Sequence, residues 1–490
     1  MLRRWHIQWA MFWLLFWVSA AAAQITIQGG SQGNPRPAGP QKQPPSQVTI
    51  EYQMTPQQAA RLMGFVDEII AFDSKATGLP VRGYVERQIT NRDELKKLAG
   101  KRMQEEDAVQ KMQRSSAVLK KFGLFPRDFD LQRFAMENAA NALAGYYDPR
   151  VKTMYLLNWL PPSAQLPTMA HELDHALQDQ NFDLQKWGET DDPSANGPTG
   201  GDPSEQRAAR RAAAEGHATA AMMEYLLAKQ GKSLRQMPVL SPDMIQRWVD
   251  RSTHTATTQV PPLLLREEMA FPYLYGLVFV HQVLRRAGKE QAYSGIFKRP
   301  PENTRQIMEP ATYLAHEKLA PLPMPPLETL LGKGHEKLDS GSLGEFDCMV
   351  FIKQFGTPEQ AGKMPADWRG DYYYAARRMP AAVEKQSPAG GQDASLEPKD
   401  VALLFVSRWA SPSAARAFAS FYRATVARRY SDAKPVGALG LGPPAEVEAW
   451  ATDEGKVTVQ VEGSLVVVLE GFDEETASRV RAAVLKVDKQ

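Results

Sequence analysis

The segment TMAHELDHALQ, residues 168–178, carries two histidines at positions 171 and 175. On an α-helix, side chains four positions apart lie on one face, one above the other. The ring nitrogens of His171 and His175 therefore converge on a single point, where a tetrahedral zinc ion would bind. Glu172 lies at the edge of that face, within reach of a metal-bound water. The segment predicts a metal-binding helix over residues 166–182, with Zn2+ as the expected ion.

The residues around the motif support this prediction, although HExxH is short enough to occur by chance on unrelated helices. Ala170 before the motif and Ala176 and Leu177 after it indicate a semi-buried helix. Two histidines and an acid on a buried face need partners, because isolated buried polar groups are costly. A non-metal helical protein with a coincidental HExxH is the competing hypothesis.

A site with two histidines needs a third protein ligand and an open fourth position. The best candidate is Glu215 in the run AEGHA, residues 214–218. This run lies in an alanine-rich segment, residues 204–229, that predicts a second helix. Gly216 weakens such a helix by about 1 kcal/mol relative to alanine, so its presence indicates that a neighbouring helix or the metal comes very near.

Other residues compete for these roles. In a purely structural alternative, Glu215 pairs with Arg210 or Arg211. His217 is a competing ligand, but on a helix it faces a different direction from Glu215, so only one of the two meets the metal easily. Asp179, one turn beyond the second histidine, is a candidate to orient that ligand, or else a solvated residue near the helix end.

The HELDH helix followed by a long loop and a second helix with a glutamate resembles the gluzincin group of zinc metallopeptidases. The resemblance covers roughly residues 140–230, and the wider pattern is similar to that of secreted bacterial metallopeptidase-like proteins. It implies a mainly helical zincin-like fold in which His171, His175 and Glu215 bind zinc and Glu172 is the catalytic acid/base. The spacing between the motifs is longer than in the best-known gluzincins, and their Asn-Glu second motif is absent.

Residues 146–157 come just before the motif helix, and their aromatic pair, Asp-Pro turn and alternating pattern predict a β-hairpin. In the peptidases that the chain resembles, an edge strand in this place pairs with an extended substrate. Met154, Tyr155 and Leu156 are therefore candidate substrate-facing residues. A plain core strand is the alternative.

Hydrolysis of a carbonyl compound also needs a hydrogen-bond donor for the oxyanion, usually a tyrosine, histidine or arginine. No spacing rule selects one from this sequence. The candidates are Tyr273, Tyr275, His281 and Tyr313.

The N-terminus predicts export. Arginines at positions 3 and 4 precede a short apolar run and a series of small residues that ends at position 23. This is the pattern of a cleavable signal peptide over residues 1–23, followed by a Pro/Gly-rich disordered linker over residues 24–48. The apolar run is too short for an ordinary transmembrane helix. We therefore expect a secreted or periplasmic protein without a stable membrane span after signal cleavage.

The remaining chain is too long for one ordinary core and predicts two folded domains. The first is the zincin-like metallopeptidase domain over residues 49–333, mainly helical with a small β-hairpin or sheet. The second, residues 334–490, is a smaller α+β domain with an antiparallel sheet. Strands are expected at residues 400–408 and in three runs between residues 447 and 469, and WRGD at residues 368–371 predicts a turn. The fold class is therefore α+β.

Composition narrows the function further. The formal net charge is only +2, which argues against nucleic acid as a partner, and the single cysteine, Cys348, cannot form an intramolecular disulfide. The favoured function is an exported zinc-dependent peptidase that acts on a peptide or protein substrate, with Glu172 as general base. The alternative is a catalytically silent, zinc-binding scaffold in envelope binding or assembly.

Overall fold

The computed structural model describes most of the chain beyond position 51. The described residues are 52–95, 97, 106–138, 145–188, 203–239, 244, 260–379, 396–436 and 447–488. The predicted signal peptide, residues 1–23, and the predicted linker, residues 24–48, lie outside them.

The described helices of the first three hundred residues include the motif helix and the helices that pack on it. They are α1 (Pro56–Met63), α2 (Val66–Thr77), α3 (Glu106–Phe122), α4 (Leu131–Asn138), α5 (Pro162–Phe182), α6 (Leu184–Gly188), α7 (Pro203–Ala228), α8 (Leu263–Glu290) and α9 (Ile296–Lys298), with a π-helical turn at Gln291–Gly295 between the last two.

The later helices are shorter on average and flank a large sheet. They are α10 (Thr304–Met308), α11 (Pro310–Leu314), α12 (Leu327–Leu331), α13 (Gly344–Phe355), α14 (Pro358–Lys363), α15 (Pro412–Arg429) and α16 (Glu474–Asp488).

A small sheet lies against α5. Its strands are β1 (Glu86–Thr90), β2 (Gly145–Asp148) and β3 (Thr153–Leu157). Strand β3 is in the middle, parallel to β1 and antiparallel to β2, so the predicted hairpin is present. A hydrophobic cluster that includes Val66, Leu156 and Leu173 joins α2, the sheet and α5.

The second sheet has seven strands, each antiparallel to its neighbours, in the order β4-β5-β6-β10-β9-β8-β7. The strands are β4 (His335–Gly341), β5 (Trp368–Arg378), β6 (Val401–Trp409), β7 (Lys434–Val436), β8 (Val447–Thr452), β9 (Gly455–Glu462) and β10 (Leu465–Glu470). The expected strands after position 400 are present within one or two residues at either end. With the helices around it, this sheet confirms the α+β fold class.

Both faces of the seven-stranded sheet are buried. One face, which includes Phe405, packs against Phe122 of α3 and Phe418 of α15. The opposite face forms a separate cluster with α12 and α16, and this cluster includes Leu404 and Val480. Alternate residues of β6 therefore enter different cores, as the twofold period of a strand requires.

The predicted turn at WRGD is wrong, because these residues begin strand β5. The register of β5 against β6 shifts between Trp368 and Gly370, and Gly370 has φ 135°. The carboxylate of Asp371 accepts hydrogen bonds from the backbone N–H groups of Leu343 and Gly344 at 2.8 and 3.1 Å. Asp371 thus satisfies backbone donors at the start of α13, which have no partner within the helix.

Packing continues across the predicted domain boundary at residue 333. The rings of Phe271 in α8 and Phe346 in α13 lie 4.1 Å apart. Glu267 of α8 pairs with Lys353 of α13 at 2.5 Å. The two predicted domains share this part of the core, and α8 is held from the C-terminal side. Within the described ranges, every helix is too short or too polar to traverse a bilayer.

Helices α7 and α8 cross with almost no space between their backbones. A Cβ atom on Gly216 would lie 2.1 Å from the backbone carbon of Gly276, and one on Gly276 would lie 2.1 Å from the Ala212 carbonyl oxygen. Neither position accepts a side chain without separating the helices. The close approach expected from Gly216 is therefore present, and its cause is the partner helix α8.

We expect Gly276→Ala to lower the free energy of unfolding by at least about 2 kcal/mol, because its methyl group overlaps the α7 backbone. Gly362→Ala is the matched control, since Gly362 is exposed in helix α14 and a Cβ there meets nothing within 4 Å. That control should gain about 0.5 kcal/mol from helix propensity. Urea denaturation measures both values, and equal effects of the two substitutions would contradict the proposed crossing.

Candidate metal centre

Helix α5 presents the motif inside the protein. It begins at Pro162, where proline suits the first turn because its missing N–H has no helical partner there. Every residue from Pro167 to Asp179 is buried. The side chains of His171 and His175 are only 2% and 8% exposed, so the predicted helix is present and its polar face is inside.

Helix α7 brings the third donor to this face. Glu215 is buried, with 4% of its side chain exposed. Its Oε2 atom lies 3.1 Å from Nε2 of His171 and 3.2 Å from Nε2 of His175. The two histidine nitrogens are 3.1 Å apart. The structure therefore brings together the three residues that the sequence proposed as ligands, and Glu215 has the two histidines as partners.

The three donor atoms form a nearly equilateral triangle. Donors on a tetrahedron at about 2.0–2.1 Å from a zinc ion are separated by about 3.3 Å. The observed sides of 3.1 to 3.2 Å are close to that separation. Two imidazoles and one carboxylate also form a recognised donor set for divalent transition metals. Among the described residues, this is the group of three whose donor atoms could hold a metal ion.

Each charged group of the cluster shifts the pKa of its neighbours. Burial lowers the pKa of His175, but the Glu215 carboxylate outweighs burial and raises that pKa to about 9. Burial raises the pKa of Glu215, yet the two histidines hold it well below its ordinary value. Glu215 is thus an anion that requires positive charge beside it. A bound cation would supply that charge and would leave the histidine nitrogens free of protons, as metal ligation requires.

Glu172 is next to this cluster and is also buried. Its Oε2 atom accepts a hydrogen bond from the backbone N–H of Tyr147 at 2.8 Å. Its Oε1 atom is buried and has no hydrogen-bond partner among the described residues. Burial raises the pKa of Glu172, and the charges of His171 and His175 offset part of this rise. One carboxylate oxygen is therefore fixed and the other is available for a proton.

Tyr147 in strand β2 connects the small sheet to α5 at two points. Besides its backbone bond to Glu172, its hydroxyl donates to Oδ2 of Asp179 at 2.9 Å. The other Asp179 oxygen accepts from the backbone N–H of Leu184 at 3.0 Å. Asp179 therefore does not orient a ligand histidine, as the sequence suggested. It joins α5 to β2 and to the start of α6.

Outside the ligand triangle, the side chain that bonds to His175 is Gln178. The sequence did not identify this residue. Its Oε1 atom lies 3.1 Å from Nδ1 of His175, and its Nε2 atom donates to Oδ2 of Asp174 at 2.8 Å. Nδ1 of His217 is 2.5 Å from the same Asp174 oxygen. His217 is therefore not in the ligand triangle, although it lies two residues after Glu215. The spacing of three between His175 and Gln178 on one helix was the available indication.

A further buried acid lies near this group. Asp73 of α2 is completely buried, and both of its carboxylate oxygens are without a hydrogen-bond partner in the described part of the chain. Burial and the charge of Asp174 raise the pKa of Asp73 well above its ordinary value. Asp73 therefore holds its proton more strongly than an exposed aspartate does.

Of the four predicted oxyanion donors, Tyr273 lies against the cluster. Its ring is 5.9 Å from the ring of His171. Burial and the charges of Glu215 and Glu172 raise the pKa of Tyr273 well above its ordinary value, and the nearby Arg211 lowers it in part. The hydroxyl consequently keeps its proton at neutral pH and is a hydrogen-bond donor.

Two of the other candidates have partners elsewhere in the core, and the third, His281, is buried. The ring of Tyr275 packs on Phe271 and Phe346 at 5.3 and 6.0 Å. Tyr313 donates its hydroxyl hydrogen to the Arg299 carbonyl at 2.8 Å. Burial and the charge of Arg285 lower the pKa of His281.

The predicted substrate strand also needs correction. Met154, Tyr155 and Leu156 belong to β3, whose two edges pair with β1 and β2. The side chains of Met154 and Leu156 are completely buried. A strand with both edges paired has no free backbone groups for a substrate. Met154 and Leu156 are core positions, Tyr155 is half-buried and stacks on Tyr146, and β2 is the edge strand beside Glu172.

Comparison with known proteins reaches only the C-terminal part of the chain. A family model described as a domain of unknown function, DUF8575, matches residues 330–481. This segment contains the seven-stranded sheet and excludes the three candidate ligands. A search of curated proteins found no match, and neither did a search of solved structures.

We expect the purified protein to bind about one divalent metal ion per chain, as measured by elemental analysis after dialysis. His171→Ala removes one of the three donors and should weaken binding by more than about 100-fold, since even the loss of an outer hydrogen-bond partner costs 10- to 100-fold. His316→Ala is the control, because His316 is exposed and outside the cluster. Saturating metal should also raise the unfolding temperature. Normally folded wild-type protein that binds no metal would contradict this prediction.

Proposed function

We propose that the chain is a zinc-dependent hydrolase that cleaves peptide bonds. Its metal ligands would be His171, His175 and Glu215, and its general base would be Glu172. One observation carries the proposal: the buried Oε1 atom of Glu172 has no hydrogen-bond partner in the described residues and lies beside a triangle of three metal donors. A carboxylate oxygen in that position has a clear use in hydrolysis, whereas the hydrogen bond from Tyr147 engages only the other oxygen, Oε2.

The donor set supports zinc. Two histidines and one glutamate leave a fourth position for water or substrate, as in other catalytic zinc sites. The same kind of donor set binds iron(II) in some oxygenases, where three positions stay open. The adjacent Glu172 favours a hydrolytic metal, because a general base serves the attack of water on a carbonyl.

The chemistry divides between the metal and the chain. His171, His175 and Glu215 would hold the zinc ion, which would supply Lewis acidity and would lower the pKa of an attacking water to about 7. Glu172 accepts the proton of the attacking water at Oε1, while the Tyr147 N–H holds Oε2 in place. The raised pKa of the Glu172 carboxyl makes it a stronger base than an exposed glutamate. Glu172 then delivers this proton to the leaving amine.

Tyr273 is the proposed donor to the oxyanion. The oxygen of the attacked carbonyl becomes negative as water adds, and a fixed donor near that oxygen lowers the barrier. Tyr273 is buried next to His171 and keeps its proton. The neighbouring Arg211 adds positive charge on the same side. The proposal therefore assigns stabilisation of the oxyanion to Tyr273 and a supporting electrostatic effect to Arg211.

Strand β2 supports an extended peptide as the substrate. Its outer edge faces Glu172 at Tyr147. A peptide that adds to this edge as a further strand would pass beside the general base. The near-neutral net charge of the chain argues against nucleic acid as the substrate. Action in the periplasm or outside the cell rests on the signal-peptide pattern of residues 1–23.

A second candidate is a zinc-binding scaffold without hydrolytic activity, acting in envelope binding or assembly. It is favoured by the low exposure of the ligand side chains, which is 2% for His171, 8% for His175 and 4% for Glu215. A substrate carbonyl must reach the open position of the metal, and this low exposure restricts access. Assays for hydrolysis separate the two candidates.

We expect the zinc-loaded protein to cleave members of a broad peptide library, with products identified by mass spectrometry. Glu172→Gln should reduce kcat/KM by about 100- to 10,000-fold, because the amide cannot accept the proton, and it should retain one zinc per chain. Glu359→Gln, at an exposed glutamate of α14, is the control. Failure of the zinc-loaded wild type to cleave any peptide would favour the scaffold, and iron in place of zinc in the native protein would overturn the proposed chemistry.

We expect Tyr273→Phe to reduce kcat by about 100- to 1,000-fold, which is the usual effect of removing an oxyanion donor. The KM value and the zinc content should change little, because the hydroxyl acts in the transition state. Tyr275→Phe on the same helix is the matched control, since its ring packs on Phe271 and Phe346. An equal kcat for the two variants would remove Tyr273 from the proposed mechanism.

A further inference from the structure

A second group of buried polar side chains lies outside the ligand triangle. It consists of Asp174 and Gln178 on α5 and His217 on α7, which bond to one another and to His175. We propose that these three are positioning residues, which hold the Nδ1 proton of His175 in place, so that Nε2 is its ligand atom, and keep Glu215 in register with the histidines. This inference rests on the metal-binding part of the proposed function and is independent of hydrolysis.

The orientation of the Gln178 amide follows from its neighbours. Its Nε2 atom lies 2.8 Å from the Asp174 carboxylate and 3.1 Å from the carbonyl oxygen of Ala214. A carbonyl oxygen only accepts hydrogen bonds, and so does an ionised carboxylate. The NH2 group must therefore be on this side, and the Oε1 atom must face His175. Two contacts on two helices thus determine which end of the amide meets the metal ligand.

That orientation determines where His175 carries its proton. Because Oε1 of Gln178 only accepts, the Nδ1 atom of His175 at 3.1 Å must donate. With Nδ1 engaged as a donor, Nε2 is the nitrogen that gives up its proton when a metal binds. Nε2 is the atom that faces His171 and Glu215. Gln178 therefore prepares the nitrogen that the metal needs, in the way that an outer hydrogen-bond partner tunes a ligand.

Asp174 and His217 lock the two helices together. Their side chains are completely buried, and Nδ1 of His217 lies 2.5 Å from the Asp174 carboxylate. The other ring nitrogen of His217 lies 3.2 Å from the carbonyl oxygen of Tyr293. Both nitrogens of His217 are engaged, which explains why it does not act as a ligand. Its bond to Asp174 holds α7 against α5 at a point two residues from Glu215. This bond and the contacts of Glu215 with the two histidines together define one register between α5 and α7.

The test compares metal affinity in variants of the full-length protein. Gln178→Met keeps the length and volume of the side chain but removes both hydrogen-bonding groups. We expect its Zn2+ dissociation constant to rise about 10- to 100-fold, because the loss of an outer hydrogen-bond partner typically has an effect of this size. Competition with a chromophoric chelator measures the constant. Gln180→Met is the matched control. Gln180 lies on the same helix, and its amide bonds to the Gly83 carbonyl.

A spectroscopic readout separates positioning from general stability. The visible absorption of the Co2+-loaded protein reports the ligand geometry, and we expect it to shift in Gln178→Met but not in Gln180→Met. Circular dichroism of the metal-free proteins checks that each variant is folded. Should Gln178→Met fail to fold, Asp174→Asn decides, because it keeps the shape of the residue and removes the charge that holds the amide. It should weaken Zn2+ binding about tenfold.

The outcomes distinguish this inference from the proposed function. If wild-type protein binds Zn2+ and the folded Gln178 and Asp174 variants bind it as tightly as Gln180→Met, the positioning role is wrong and the metal site stands. If wild-type protein binds no metal, the metal site and the positioning role are both wrong. Weaker binding together with a shifted Co2+ spectrum supports the inference.

Discussion

The contact between α5 and α7 is polar although it lies inside the protein. The arrangement of the site depends on how the polar side chains of this contact pair with one another. Buried polar groups without partners are costly. On one part of the contact, Glu215 meets the two histidines at 3.1 and 3.2 Å. On another, His217 meets Asp174 at 2.5 Å. Displacing one helix along the other would break both sets of interactions at once. The helices therefore have one favourable register, and in that register the metal donors converge.

Helix α8 approaches α7 closely because glycines lie at the crossing of the two helices. Gly216 and Gly276 allow backbone contact, and this brings Tyr273, one turn before Gly276, against His171. Phe346 on the C-terminal side packs on α8 through Phe271. The segment that matches a family model thus helps to hold the helix that carries the proposed oxyanion donor.

The sequence predictions succeeded where the interactions join residues close together in the chain, and failed where they join distant segments. His171 and His175 were predictable because their spacing on one helix determines their direction. Glu215 was predictable from its chemistry and from the glycine beside it. Met154 and Asp179 were misassigned, because strand order and side-chain partners depend on segments far away in the chain. Strand β1 pairs with β3, so that β3 is not an edge strand. The hydroxyl of Tyr147, in a different element, donates a hydrogen bond to Asp179. No local pattern contains either contact.

The sequence by itself determined the elements that depend on neighbouring residues: the motif helix, the hairpin before it, the alanine-rich helix and the last strands of the large sheet. Their periodicity and turn residues act over a few positions, so the linear order is sufficient. The tertiary structure alone decided that Gln178 rather than Asp179 contacts His175, that Tyr273 is the candidate oxyanion donor at the cluster, and that β2 is the sheet edge beside Glu172. Each of these depends on which atoms become neighbours when distant helices and strands pack. Burial strengthens these choices, because a polar atom that is removed from water without a partner costs free energy.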